Sequence, residues 1–391
     1  MRLLQEQLKI ISPSDKELKE INQKTKQLIS IINKNLKNKK IRAEVFVGGS
    51  SAKNTLIKKN KYDIDLFVRF DEKYLDKELS DLLKKVLPKN IRKIHGSRDY
   101  FSIKKDNTEF EIVPVLKIKN PSQAKNITDL SYFHVNYVKK AIRKNPKLAN
   151  EIRIAKAFAY YQECYGAESY INGFSGYALE LLLIYYKNFV NFVKAMAKLD
   201  TKNKLILDID KKYKKQDVLR EMNKAKLHSP IILIDPTFKE RNALAALSYK
   251  TFEEFQKACK GFLKNPSKKF FILEDKEEKY SKNKNIIKIN LKSSKQAGDI
   301  AGTKLKKFYK YLVSKISRYF DIKKQDFLYN ENKNIGIIFI ELIKKKQIIF
   351  NGPPIKMKKA VKEFKKGHKN IKVIKGKVFG YEKPISFDVF F

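Results

Sequence analysis

The chain has 391 residues, 86 of them Lys or Arg against 42 Asp or Glu, for a formal net charge of +44. That length accommodates two to four domains with cores of their own, and that excess of cations answers a polyanion, RNA or DNA first. Cys164 and Cys259 stand apart without zinc-site or disulfide spacing, the apolar window Tyr177 to Tyr186 is too short to cross a bilayer, and the first residues carry no secretory leader pattern, so a cytoplasmic chain without membrane attachment is expected.

In chain order, Ser12-Pro13-Ser14-Asp15 reads as a helix start, with Leu18, Ile21, Thr25, Leu28, Ile29 and Ile32 recurring at helical spacing to about Leu36. Ile41 to Val47 is a strand, broken at Gly48-Gly49 where the backbone must turn sharply or approach something closely. The small residues Gly49, Ser50 and Ser51 leave N–H groups and hydroxyls free to converge on a phosphate. Asp63 to Phe70 alternates with period two, so Asp63 and Asp65 share one face. Two acids on one face repel each other unless a cation lies between them, and hard carboxylate oxygens suit Mg²⁺.

Leu75 to Val86 is expected to be a helix, and Ile91 to Gly96, Tyr100 to Lys104 and Phe110 to Leu116 strands; Glu111 on the last supplies the third carboxylate, with Glu109 on its side. Helical periodicity then covers Ser131 to Arg143 and Pro146 to about Tyr165, and Ser175 opens a long helix to Leu199 whose aromatic residues are read mainly as core. The apolar strand Ile231 to Ile234 delivers Asp235-Pro236 and then Arg241-Asn242. Phe252 to Leu263 is a helix, Asn265-Pro266-Ser267 a hinge, and 275–285 a solvated loop. Ile286 to Leu291, Gly302 to Phe320, Asp326 to Tyr329 and Ile335 to Leu342 form a β-α-β-β module, whose helix carries Lys304, Lys306, Lys307, Lys310 and Lys315 as a candidate RNA surface.

Gly49-Ser50, Lys53-Asn54-Thr55 and Asp63-Ile64-Asp65 resemble the signature of the polymerase-β-like nucleotidyltransferase superfamily. With Glu111-Ile112-Val113-Pro114, Tyr165-Gly166-Ala167-Glu168, Gly173 to Tyr177, Asp235-Pro236, Arg241-Asn242 and Gly352-Pro353-Pro354, the chain resembles the class I, archaeal-type CCA-adding enzymes, tRNA nucleotidyltransferases, over most of its length.

The resemblance implies an α+β multidomain fold: a catalytic head of mixed sheet and helices (1–138), a mainly helical nucleotide-binding neck (139–264) and an α/β body and tail that binds RNA (265–391). It implies template-independent addition of C, C and A to the tRNA 3′ end from CTP and ATP. By that resemblance Asp63, Asp65 and Glu111 would hold two Mg²⁺ ions, and Gly49, Ser50, Lys53, His134, Lys156 and Tyr165 the nucleotide. The resemblance also implies that Arg241 reads the base edge, for which a guanidinium's fixed fork is suited.

The chain departs from the family in two places: Glu111 stands where Asp is usual, and Leu130 follows Asp129 where Arg is usual. A poly(A)- or oligo(A)-type transferase uses the same acids, and a non-catalytic RNA-binding protein on the same fold is the other alternative. No protein partner is evident, and a homodimer is left open.

Overall fold

The computed structural model describes residues 2–384 except 60, 76, 90, 97, 214–216, 295 and 332. It divides into two compact units, one of Met1–Ala167 with Ile171–Leu273, the other of Glu168–Tyr170 with the chain from Glu274 onward.

The first unit opens with helices α1 (Arg2–Ile11) and α2 (Asp15–Asn38). Helix α2 starts where its sequence demands: Ser14 caps the Glu17 N–H, and the Glu17 carboxylate accepts from the Ser14 N–H at 2.8 Å. Strand β1 (Ala43–Val47), a one-turn helix α3 (Gly49–Ala52), β2 (Tyr62–Phe70), α4 (Leu79–Lys84), β3 (Arg92–Ile94), β4 (Tyr100–Lys105) and β5 (Thr108–Leu116) follow. The five strands lie in the order β1-β2-β5-β4-β3, with β2 and β5 parallel and the other pairs antiparallel.

Period-two alternation sorts this sheet. Ile64, Leu66, Val68, Phe110, Ile112 and Leu116 are buried with Ile21, Leu28, Ile32 and Leu36 of α2. Each such aliphatic side chain contributes about 2 kcal/mol of transfer free energy. The residues between them, Asp63, Asp65 and Glu111 included, therefore take the other face.

Helices α5 (Ser131–Lys144), α6 (Leu148–Tyr161), α7 (Gly176–Tyr186), α8 (Phe189–Lys198), the short α9 (Val218–Glu221) and α10 (Tyr249–Lys264) make the helical part of this unit, with a small sheet of β6 (Leu205–Leu207), β7 (Ile231–Asp235) and β8 (Phe238–Asn242). Its core gathers Ile152, Phe158, Phe174, Leu179, Phe189, Phe192, Phe252 and Phe255, all nearly fully buried. Ile11 of α1 and Phe271, from beyond the expected 264/265 boundary, belong to the same core.

The second unit holds α11 (Lys276–Ser281), β9 (Ile286–Lys292), α12 (Gly298–Ile316), β10 (Phe320–Asn330), β11 (Ile335–Lys344), β12 (Ile348–Pro354), α13 (Lys358–Gly367), β13 (Asn370–Ile374) and β14 (Lys377–Glu382). Its sheets run β10-β11-β9 and β12-β14-β13.

Several expected elements differ. The long helix from Ser175 is two: Lys187 takes a positive φ of 71°, and the Asn188 side chain caps α8 through the Asn191 N–H at 2.8 Å. The helix expected over Leu75 to Val86 shrinks to α4 after a 3₁₀ turn at Glu72–Tyr74, because Asp71 caps the Lys73 N–H and starts that turn early. The solvated stretch 275–285 contains α11, started by Asp275, whose side chain accepts from the Glu278 N–H. Arg241 lies on the second strand of the β7–β8 hairpin.

Candidate active site

The acids form a rail on two neighbouring strands. Parallel pairing of β2 with β5 sets Asp63 beside Glu109 and Asp65 beside Glu111, all on the face away from α2. The Asp63 side chain is about half exposed, and Lys59 Nζ stands 3.9 Å from its carboxylate. Glu109 is buried and occupied by structural partners, Ser102 Oγ, Lys61 Nζ and, at 3.4 Å, Arg92. Asp65 and Glu111 are half-buried. Burial pushes the Asp65 carboxyl up, Lys53 and Lys156 oppose that, and Asp63 adds to it.

The Gly48-Gly49 turn presses on this rail. The Gly48 N–H donates to the Asp65 carbonyl at 2.8 Å. Gly49 has φ +54°, and a Cβ there would overlap the Asp65 carboxylate. Only glycine fits both the left-handed backbone and the approach. Hard oxygen donors on adjacent strands, packed under a turn that admits no side chain, suit a Mg²⁺ ion chemically. Among the described residues no three His, Cys, Asp or Glu side chains converge into a closed ligand set; the fold fixes the rail, not a coordination sphere.

Two buried polar hubs lie on α7, one helical turn apart. At the first, Glu180 Oε2 pairs with Lys53 Nζ at 2.6 Å and Oε1 with Lys156 Nζ at 2.7 Å, and Thr55 Oγ1 receives Lys156 at 3.0 Å and donates to Glu180 at 3.2 Å. Burial lowers the Lys156 ammonium to about 8. It would raise the Glu180 carboxyl, but Lys156 and Lys53 outweigh it and hold the group below its usual range. The loop after α3 is clasped further by Arg153 of α6, which donates to Asn54 Oδ1 at 2.7 Å and to the Leu56 carbonyl at 3.2 Å. Lys53-Asn54-Thr55 is thus tied to α6 and α7.

At the second hub, fully buried Asp235 accepts from Arg241 at 2.8 Å, from the Thr237 N–H and hydroxyl at 2.8 Å each, and from the Tyr177 hydroxyl at 3.0 Å. His134 Nε2 is 3.0 Å from its Oδ2, an ion-pair distance off the hydrogen-bond direction. The His134 ring stacks on Tyr177 with centroids 4.1 Å apart. Burial works to raise the Asp235 carboxyl, yet His134 and Arg241 hold it far below its usual range. Burial lowers the imidazole of His134, with Asp235 opposing.

Gly176 joins the hubs to the helix end before it: a Cβ there would stand 2.9 Å from Tyr165 Oη and 3.7 Å from Lys156 Cε. Lys59 lies 5.8 Å from the Tyr165 ring centroid and within ion-pair range of Asp63. The structure thus gathers Lys53, Lys156 and Tyr165, sets Gly49 against Asp65, and joins His134 to Arg241 through Asp235.

Comparison with known proteins fits this arrangement. Residues 150–272 match the family described as tRNA nucleotidyltransferase, second domain, and residues 2–132 the Second Messenger Oligonucleotide or Dinucleotide Synthetase domain. A CCA-adding enzyme of Nanoarchaeum equitans is 44% identical over 213 residues, 54% of this chain and 52% of that one. A CCA-adding enzyme of Methanocaldococcus jannaschii is 30% identical over 406 residues, covering 97% of this chain and 86% of that one. The chain belongs to the archaeal-type CCA-adding enzyme family. A solved structure of a cytoplasmic RNA terminal U-transferase superposes with a TM-score of 0.53 at 14% identity, over 70% of this chain and 98% of that one, a likeness of fold alone. The chain has an α+β, polymerase-β-like nucleotidyltransferase fold, and membership makes it an RNA nucleotidyltransferase, of a superfamily that works with divalent metal ions and nucleoside triphosphates.

Leu130, at the position where Arg was expected, is buried in the core between α2 and the five-stranded sheet. The Asp129 carboxylate is nonetheless held by a guanidinium, that of Arg98 at 2.5 and 3.3 Å, and accepts the Leu116 N–H at 2.9 Å. Sequence reasoning missed Glu180, Arg98 and the hub role of Asp235. The signal for Glu180 was present: one acid within the otherwise apolar run Ala178 to Ile184.

Proposed function

We propose that this chain is a CCA tRNA nucleotidyltransferase, adding C, C and A without a nucleic-acid template to the 3′ end of tRNA from CTP and ATP, with release of pyrophosphate. The observation that carries it is the in-register pairing of Asp65 with Glu111 beneath the Gly49 turn, on a chain whose Asp235 braces Arg241.

Asp63 and Asp65, with Glu111 completing one site, would hold two Mg²⁺ ions, which when bound lower the pKa of the primer hydroxyl and neutralise the phosphoryl oxygens. Gly49 and Ser50 offer backbone N–H groups and a hydroxyl to the β- and γ-phosphates. Lys156, Lys53, Tyr165 and His134 surround the triphosphate, and Arg241 presents its fork to the base edge.

One Arg241 nitrogen is engaged with Asp235, which fixes the plane of the guanidinium and leaves its remaining donors to discriminate. The lysine-rich surface binds phosphates along the acceptor end, with Lys304, Lys307, Lys310 and Lys315 of α12 as candidates, Lys306 being bonded to the Tyr170 carbonyl. No helix among the described residues is long and apolar enough to cross a membrane. Cys164 and Cys259 are buried free thiols, which suits a reducing cytoplasm.

The test supplies Mg²⁺ and a tRNA transcript lacking CCA with CTP alone, ATP alone or both. Two C residues with CTP, and a single A only when both nucleotides are present, is the expected result. Repeated A addition from ATP alone would transfer the assignment to a poly(A)-type enzyme, and no incorporation would favour an RNA-binding protein.

A further inference from the structure

Helix α7 is apolar and buried from Ala178 to Ile184 except at Glu180, whose side chain is 0% exposed. Such a carboxylate is costly, and a well-packed apolar residue serves stability as well or better. A pair kept only for stability would also balance its charges. Here one carboxylate faces two ammonium groups, Lys53 from the head at 2.6 Å and Lys156 from α6 at 2.7 Å, which leaves a buried surplus of one positive charge. Lys156 is fixed from a second side by Thr55 at 3.0 Å, and Gly176 leaves room for Tyr165 Oη beside it.

We propose that Glu180 is a positioning residue for the nucleotide: its buried carboxylate clamps the ammonium groups of Lys53 and Lys156 across the head–neck joint, aiming their uncompensated charge at the incoming triphosphate. This rests on the nucleotidyl-transfer reading. Glu180 itself touches no substrate; it sets where the cations stand. Removing its charge frees two ammonium groups to repel each other, so triphosphate affinity falls although net positive charge rises. A simple electrostatic count predicts the reverse, and that opposition of signs makes the proposal testable.

The experiment measures kcat and KM for CTP and for tRNA lacking its CCA end in the full chain, with melting temperature as the fold control, in Glu180→Gln, Lys156→Met and the double variant. Glu180→Gln is expected to raise the CTP KM about tenfold and leave the tRNA KM within threefold. In the Lys156→Met background the same change is expected to raise the CTP KM less than threefold. A CTP KM within threefold of the parent in folded Glu180→Gln, an equal rise in both KM values, or full additivity in the double variant overturns the proposal.

Should Glu180→Gln not fold, Glu180→Asp decides by the same threefold limit, since it keeps the charge and shortens the reach. Incorporation by the parent chain is scored separately. A parent that uses only ATP refutes CCA addition, and the Glu180 measurement then proceeds with ATP.

Discussion

Replacing Gly49 by Ala separates stability from chemistry. Gly49 has φ +54°, where an L residue costs about 1 kcal/mol, while losing glycine's freedom in the unfolded chain returns about 0.4–1 kcal/mol. These terms nearly cancel. What remains is the overlap of the new methyl with the Asp65 carboxylate. Asp65 cannot move with its backbone, because β2 is paired on both sides, to β1 and β5. Its side chain must therefore rotate off its rotamer, at about 1 kcal/mol.

The melting temperature should fall by only about 2–4 °C. The rate should suffer far more, since a carboxylate displaced by about 1 Å from its working position costs roughly 10²-fold. Single-turnover incorporation of CMP into tRNA lacking CCA, alongside thermal melting, makes the comparison. Activity within threefold of the parent would refute the claim that the turn and Asp65 are held in mutual contact for catalysis. A melting temperature lowered by more than about 10 °C would refute the cancellation of local terms.

Asp65→Asn should lower incorporation by ~10³-fold or more while tRNA affinity, measured by filter binding, stays within threefold; a parallel loss of binding would place Asp65 in the fold rather than the chemistry. Asp235→Asn leaves Arg241 without its buried counter-charge and should cost about 3 kcal/mol in denaturant melts. It should also narrow the discrimination between CTP and ATP in competition assays. Ser14 N–H and hydroxyl contacts hold Glu17 down to about 2 from an ordinary 4.5. Its contribution to stability is therefore present above pH 4.5 and lost as pH falls toward 2, a dependence that acid melts should find weakened in Glu17→Gln. The affinity for tRNA should fall by about 10³-fold or more between roughly 50 and 200 mM salt, as phosphate contacts by many lysines require.

The acid rail was legible because period-two alternation is a local property: Asp63 and Asp65 declare their face through Ile64 and Leu66. Gly49 was legible for the same reason, since a turn carries its requirement in its own residues. Glu180 showed in the sequence as a lone acid in an apolar helix, but its role did not, because that acid acquires meaning only from Lys53, 127 residues away in the chain. The same holds for Arg98, which reaches Asp129 from another segment, and for Asp235, whose four partners come from α5, α7 and the β7–β8 hairpin. The helix break at Lys187 was missed because apolar spacing continues through it, although Asn188 is a sound cap. Lys53 was expected at the nucleotide, but its buried partner Glu180 was not foreseen.

The clasp of Lys53, Asn54 and Thr55 by Arg153, Lys156 and Glu180 also bears on inheritance. A catalytic head transplanted onto a foreign neck would carry a buried ammonium with no acid to meet it, and the orphaned neck would keep an acid short of one cation. Exchange at that seam is penalised on both sides, so the two parts should pass through recombination together, and chimaeras cut there should fail.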